Sequence, residues 1–187
     1  MSATQERPAD WQHFAAIPWC SRHLQEHDII PWIPRLWQSH KFPIDDHLWR
    51  NTLNNANAIT AFLLFYRQLS QPGQLVEEVK AFVSLEWGVG GYPGLAHGGI
   101  TTVIFDEILG LHARLNRELK AIAGVYMTGY LNTSFVKPVK IPSTVLVISR
   151  IVKLESRKLW MTGEIQDAEE TVLAKAECLF IAANTKL

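Results

Sequence analysis

Residues 92–111 read YPGLAHGGITTVIFDEILGL and bring together a histidine, a glycine doublet and two adjacent acids, His97, Gly98–Gly99, Asp106 and Glu107. Apolar residues recur at helical spacing through this stretch and beyond it (Ile100, Val103, Ile104, Leu109, Leu111, Leu115, Leu119), which predicts one long helix opening at the glycines. The first turn of a helix has backbone N–H groups without internal partners and carries the positive end of the helix dipole, so it favours developing negative charge. Gly98 and Gly99 put the least bulk there, and a carbonyl could approach the amides closely enough to use them as an oxyanion hole. A plain turn into the helix would use the same two glycines.

Counting by threes and fours sets Asp106 beside Thr102, Val103, Leu109 and Gly110, which predicts a carboxylate turned toward the interior. A buried acid is either a structural partner in an ion-pair network or a poised catalytic group. Glu107 points about 100° away and is expected to be solvated, a reserve acid. Gly99 and Asp106 stand two turns apart, about 10 Å at ~1.5 Å per residue. A base must lie within roughly 3 to 3.5 Å of the atom it serves, or one water farther. If both residues act on one substrate, the glycines of one subunit must face the acid of another, and the active unit is at least a dimer.

The elements that must position these residues follow from the flanking pattern. AITAFLLFYRQ and EEVKAFVSLEW, separated by a QPGQ turn, read as two strands before the helix. GVYMTGYLNTSFV, STVLVISRIVKLE, KLWMTGEIQD and TVLAKAECLFIAA read as four strands after it. The expected fold is α+β, an antiparallel sheet wrapped around one long central helix. Period-two alternation would line up Thr128, Tyr130, Asn132 and Ser134 on one face of the first of these later strands. Residues 1–54 differ in composition. They hold five of the seven tryptophans (Trp11, Trp19, Trp32, Trp37, Trp49) and five of the seven histidines, among Pro8, Pro18, Pro31, Pro34 and Pro43. This segment is expected to be an arm of short helices docked on a domain spanning 55–187, in the position of a cover or lid.

Composition narrows the partners. At 187 residues the chain suits a single domain with some decoration, and 18 basic residues balance 18 acidic ones. Long-range attraction to nucleic acid is not expected. The two cysteines, Cys20 and Cys178, have neither the spacing of a metal site nor the density of a disulfide scaffold, which fits a reducing compartment. No stretch has the length to insert in a bilayer, so a cytoplasmic location is expected. His23, Glu26 and His27 fit H-x-x-E-H, the inverted zinc-protease pattern, but lie in a short proline-rich arm without a third ligand or a peptidase scaffold. No metal is expected.

AHGGITTVIFDEILG, followed by MTGYLNTSFVKPV and then LESRKLWMTGEI, resembles the hotdog-fold acyl-CoA thioesterases, in particular the thioesterase-superfamily-member-4 and -5 branch, its fungal relatives and the PaaI-like HGG…D pattern. The resemblance covers about residues 55–183. It implies hydrolysis of an acyl-CoA, or a related acyl thioester, to the free acid and thiol, with no cofactor beyond the coenzyme A of the substrate. It implies Asp106 as general base or nucleophile, the Gly99 N–H as donor to the thioester oxygen, Thr128 as the group holding the acid or the water, and His97 as a positioning residue or a shaper of the turn. The hole and the acid would come from opposite subunits of a homodimer or dimer of dimers. Gly98, Asn132, Lys137 and the Arg157–Lys158 pair are the candidate substrate-binding residues, the basic ones for coenzyme A phosphates, with Arg150, Lys153 and Lys140 nearby in sequence. A catalytically silent acyl-CoA-binding or protein-interaction module of the same fold, and a hotdog hydratase or dehydratase in a biosynthetic pathway, remain the alternatives.

Overall fold

The computed structural model describes residues 10–34 and 46–183. Trp37, Pro8 and Pro43 of the arm lie outside the described residues. The main body is a seven-stranded antiparallel sheet in the order β1-β2-β3-β7-β8-β9-β6. These strands are β1 (Ile29–Trp32), β2 (Ile59–Arg67), β3 (Glu78–Leu85), β6 (Tyr126–Phe135), β7 (Ser143–Glu155), β8 (Lys158–Gln166) and β9 (Val172–Ala182). A two-stranded ribbon, β4 (Gly90–Tyr92) and β5 (Leu95–Ala96), leads into the long helix α3 (Gly98–Glu118). The six main strands and the helix follow the order that the hydrophobic pattern predicts.

One face of the sheet wraps α3. Thr101, Phe105, Ile108, His112 and Leu115 define the buried stripe of the helix and meet Leu64, Val79, Ala81, Val83, Val147, Leu159, Met161 and Phe180 from the strands. Gly163 of β8 lets the helix come close, because a Cβ there would stand 2.7 Å from the Phe105 ring. His112 is buried in this layer: its Nδ1 lies 2.8 Å from the Ser149 hydroxyl and its Nε2 2.8 Å from the Val76 carbonyl. A carbonyl can only accept, so Nε2 carries the proton and Nδ1 receives the serine hydroxyl. Burial pulls the His112 pKa down to about 4. Asn116 donates to the same Val76 carbonyl and accepts from the Val76 N–H, so the connection between β2 and β3 is pinned to α3 by a closed polar network.

The opposite face of the sheet is covered by two short helices, α1 (Trp11–Ala15) and α2 (Pro18–Leu24). Phe14 stacks on Phe82 at 5.4 Å between centroids, Trp19 meets the same ring edge-on at 5.2 Å, and Phe65, Leu146 and Ile148 complete this second apolar layer. The arm then contributes β1, which pairs with β2 from Ile29 opposite Arg67 to Trp32 opposite Leu64. Sequence reading missed this strand because Pro31 interrupts it, and an edge position is where a strand tolerates proline. The division at residue 54 therefore separates a strand from the sheet that it edges. α1 and α2 lie on the face away from α3, whereas Ile30 and Trp32 of β1 pack against the helix-side core. Among the described residues of the arm, Asp46 and the π-helical turn Leu48–Leu53 lie on the α3 side, and Trp49 packs into the helix-side core.

Candidate active site

His97 is the N-cap of α3, in extended backbone, and its Nδ1 accepts the Gly99 N–H at 2.9 Å. An unprotonated ring nitrogen thus satisfies one of the orphan amides of the first turn. The same closeness explains the glycine: a Cβ at position 99 would lie 2.9 Å from His97 Nδ1. The next two amides, those of Ile100 and Thr101, bond to the His97 carbonyl. The Gly99 amide is therefore not an open donor in the single chain, and a substrate oxygen must share it or displace the imidazole. Gly98 packs against the ring of Phe135, at 3.3 Å from where its Cβ would be.

Asp106 corrects the sequence reading. It is exposed, not turned into the core, because the buried stripe runs through Phe105 and Ile108 and Asp106 stands about 100° round from Phe105. The neighbours that suggested burial, Thr102, Val103 and Gly110, are themselves on the flank of that stripe. Its Oδ1 accepts the Thr128 hydroxyl at 2.8 Å. Glu107 departs from expectation in the opposite sense. It is half-buried, and its pKa is pushed up to about 8, first by desolvation and then by the charge of Asp46 and a hydrogen bond with it; Arg114 opposes this shift. The missed signal was tertiary: a residue of the arm comes over a helix position that periodicity assigns to solvent.

β6 runs antiparallel to α3 along its flank. Thr128 reaches Asp106, the Thr133 hydroxyl lies 3.2 Å from that of Thr102, and Phe135 covers Gly98. Thr128 and Thr133 have opposite parity, so strict alternation fails. The cause is a bulge between Thr128 and Tyr130 in the register with β9, which moves the helix-facing set from Thr128 to Leu131, Thr133 and Phe135. Tyr130, Asn132 and Ser134 consequently do not share a face with Thr128. Asn132 pairs with exposed Glu177 on the other side of the sheet and is not brought to Asp106.

The basic candidates are spread out. Arg157 Nε and Nη2 both donate to the Ala182 carbonyl, at 3.0 and 2.7 Å, which fixes the β8 hairpin to the end of β9. Lys158 lies 6.0 Å from the centroid of Trp160, and both residues of the pair are exposed. Register places Lys158 opposite Ile181, which in turn pairs with Met127, so this hairpin belongs to the Thr128 end of β6. Lys137 follows the other end, next to Phe135 and the glycines. Within one chain the two basic groups are separated by the length of β6.

Beside Asp106 and Thr128 opens a cavity of about 460 Å³, which extends along α3 past Glu107, Leu111 and Arg114 and is closed by Met127 and Phe180. The H-x-x-E-H segment takes a different course. α2 ends at Leu24, before Glu26 and His27, and Glu26 pairs with Arg67 at 2.6 Å. Among the described residues no group of three or more His, Cys, Asp or Glu side chains is arranged to hold a metal. No described helix is long and apolar enough to cross a membrane.

With this geometry in view, residues 93–174 match the Thioesterase superfamily profile. The mouse acyl-coenzyme A thioesterase THEM4 is 38% identical over 92 residues, 49% of this chain and 37% of that protein. The chain thus matches little more than a third of the length of that curated relative. Among solved structures, smu.793 from Streptococcus mutans UA159 bound to acetyl CoA superposes with a TM-score of 0.52 at 19% identity, covering 59% of this chain and 85% of the other. A hypothetical thioesterase protein with coenzyme A from Streptococcus pneumoniae TIGR4 gives a TM-score of 0.54 at 16% identity, covering 72% of this chain and 98% of the other. The profile match spans residues 93–174, and the sheet curled round α3 is the hotdog fold of these structures.

Proposed function

We propose that this protein hydrolyses an acyl-CoA thioester in a site shared by two copies of the chain. The observation that carries the reading is the Asp106 carboxylate held by Thr128 at 2.8 Å on the rim of the cavity, in a domain whose relatives include named acyl-CoA thioesterases. Thr128 occupies Oδ1, so Oδ2 is the base. It takes a proton from water while the water oxygen bonds to the thioester carbonyl carbon. The oxyanion that forms takes the Gly99 N–H of the partner subunit, in place of the imidazole that caps it in the single chain. Collapse breaks the C–S bond, and Asp106 passes the proton it took to the departing thiolate, leaving the acid, coenzyme A and the free carboxylate.

Strand direction supports the shared site. β6 is the last strand of the sheet, and an unpaired edge invites another strand. Met127 is 53% exposed, Tyr130 41% and Phe135 61%, which is apolar surface in need of a cover. Antiparallel pairing of β6 with its copy, centred near Leu131 and Asn132, sets the Phe135 end of one strand beside the Thr128 end of the other. Because Phe135 covers Gly98 and Thr128 holds Asp106, this pairing carries the glycines of one chain toward the acid of the next. It also brings Lys137 of one chain toward Arg157 and Lys158 of the other, a basic set for phosphates.

The test is turnover of a panel of acyl-CoAs by wild type, Asp106→Asn, Gly99→Val and an equal mixture of the two variants refolded together. Each variant alone loses activity by about a hundredfold or more. The mixture recovers about a quarter of wild-type turnover, because half of the dimers are mixed and each mixed dimer has one intact site. No turnover of any acyl-CoA by wild type would favour a binding module instead, and a mixture as inactive as its components would remove the shared site.

A further inference from the structure

The cavity beside Asp106 contains charge that hydrolysis does not use. Arg114 stands two turns beyond Asp106 on α3, about 12 Å along the axis at ~1.5 Å per residue, and lines the same cavity. Its Nη1 is fully buried and has no hydrogen-bond partner among the described residues. Arg117, one turn farther, also lines the cavity. A buried guanidinium nitrogen without an acceptor is destabilising, a cost removed when a ligand supplies the oxygen. Glu107, which feels the charge of Arg114, is hydrogen-bonded to Asp46. Between the arginine and Asp106 the wall combines the acids Glu107 and Asp46 with Gly110, Leu111, Met127 and Phe180, and these last four offer a surface for methylene groups rather than for a nucleotide.

We propose that this cavity receives the acyl group of the substrate and that Arg114 binds a carboxylate at its far end, so that the preferred substrates are ω-carboxyacyl thioesters. The thioester carbonyl lies at the Asp106 rim, the chain follows Leu111 and Phe180, and the terminal carboxylate meets Nη1 of Arg114. A methyl end in the same place leaves Nη1 unpaired, so discrimination is strong in the direction of the charged chain. This inference rests on the thioesterase reading above.

The test compares suberyl-CoA with octanoyl-CoA, chains of equal length that differ at the far end. Wild type is expected to show kcat/KM at least tenfold higher for suberyl-CoA. Arg114→Met brings the ratio of the two values close to one, and Arg114→Lys restores part of it. Wild-type ratios near one, with both substrates turned over, would overturn the proposal and leave the thioesterase reading intact. A rise in KM of the same size for both substrates in Arg114→Met, matched by weaker binding of free coenzyme A in calorimetry, would assign the arginine to a phosphate and likewise overturn it. Should neither substrate turn over, calorimetry with free suberate decides separately: binding that Arg114→Met abolishes sustains the carboxylate site, and no binding by wild type sinks it.

Discussion

Acidification should weaken the fold through His112, by an amount that the structure sets. The ring is fully buried, with Nε2 donating to the Val76 carbonyl and Nδ1 receiving the Ser149 hydroxyl, and its pKa falls from 6.5 to about 4 because burial disfavours the charged form. Below pH 6.5 the unfolded chain takes up a proton at this position, whereas the folded chain does so only near pH 4. Stability from this group is therefore complete above the unfolded value and is lost as pH falls through the window between the two. At about 1.4 kcal/mol per pKa unit the loss amounts to about 3 kcal/mol, a large part of the stability of an ordinary domain. Glu107 works in the reverse sense. Its folded value is raised from 4.5 to about 8, so its contribution is complete at low pH and disappears as pH rises toward 8. Over pH 4.5 to 6.5 the two slopes oppose each other, and wild-type stability alone would look flat. The informative quantity is the difference between wild type and His112→Gln, which keeps an amide donor for Val76 but cannot titrate. Urea unfolding at several pH values should show that difference shrinking by about 1.4 kcal/mol for each pH unit below 6.5. A difference that stays constant over this range would mean that His112 is not held neutral, and the reasoning would fail.

The other predictions concern the site and its supports. Glu107→Gln should stabilise the protein more at pH 8 than at pH 5, because it removes the cost of ionising a half-buried acid beside Asp46; equal effects in thermal melts at the two pH values would contradict the raised pKa. Thr128→Val should lower kcat about ten- to a hundredfold through loss of a hydrogen bond to a charged group, with a smaller change in KM, and unchanged kinetics would show that Asp106 needs no anchor. Gly163→Ala should cost about 1–3 kcal/mol in urea unfolding, since its Cβ would stand 2.7 Å from the Phe105 ring and the helix must move; a neutral result would mean that α3 sits looser on the sheet than described.

The main strands and the long helix were legible because their apolar residues repeat with periods near two and 3.6, which depend on the chain alone. The pairing of Thr128 with Asp106 came only from the family resemblance, since nothing in the spacing joins residue 128 to residue 106. What sequence reading missed depended on contacts from elsewhere. Glu107 belongs to the solvent side of the helix by periodicity, and Asp46 covers it. Helical spacing alone assigns Asp106 to the interior, because it does not say which stripe of α3 faces the sheet. Tyr130, Asn132 and Ser134 were aligned with Thr128 by an alternation that the bulge at Gly129 breaks, and a strand sequence gives little notice of a bulge. Pro31 hid β1 in the same way, because a proline is acceptable only once the strand is known to be outermost.

The layer of α1 and α2 over Phe65, Phe82, Leu146 and Ile148 bears on how the domain can be handled in isolation. A fragment beginning at residue 55 would lose Phe14 and Trp19, and with them the rings that shield Phe82. Its back would then present a greasy panel to water, and such fragments should clump or recruit holdases even with every residue of the proposed chemistry present. α1 and α2 therefore act as a built-in solubility tag, and any attempt to express a minimal version should retain them.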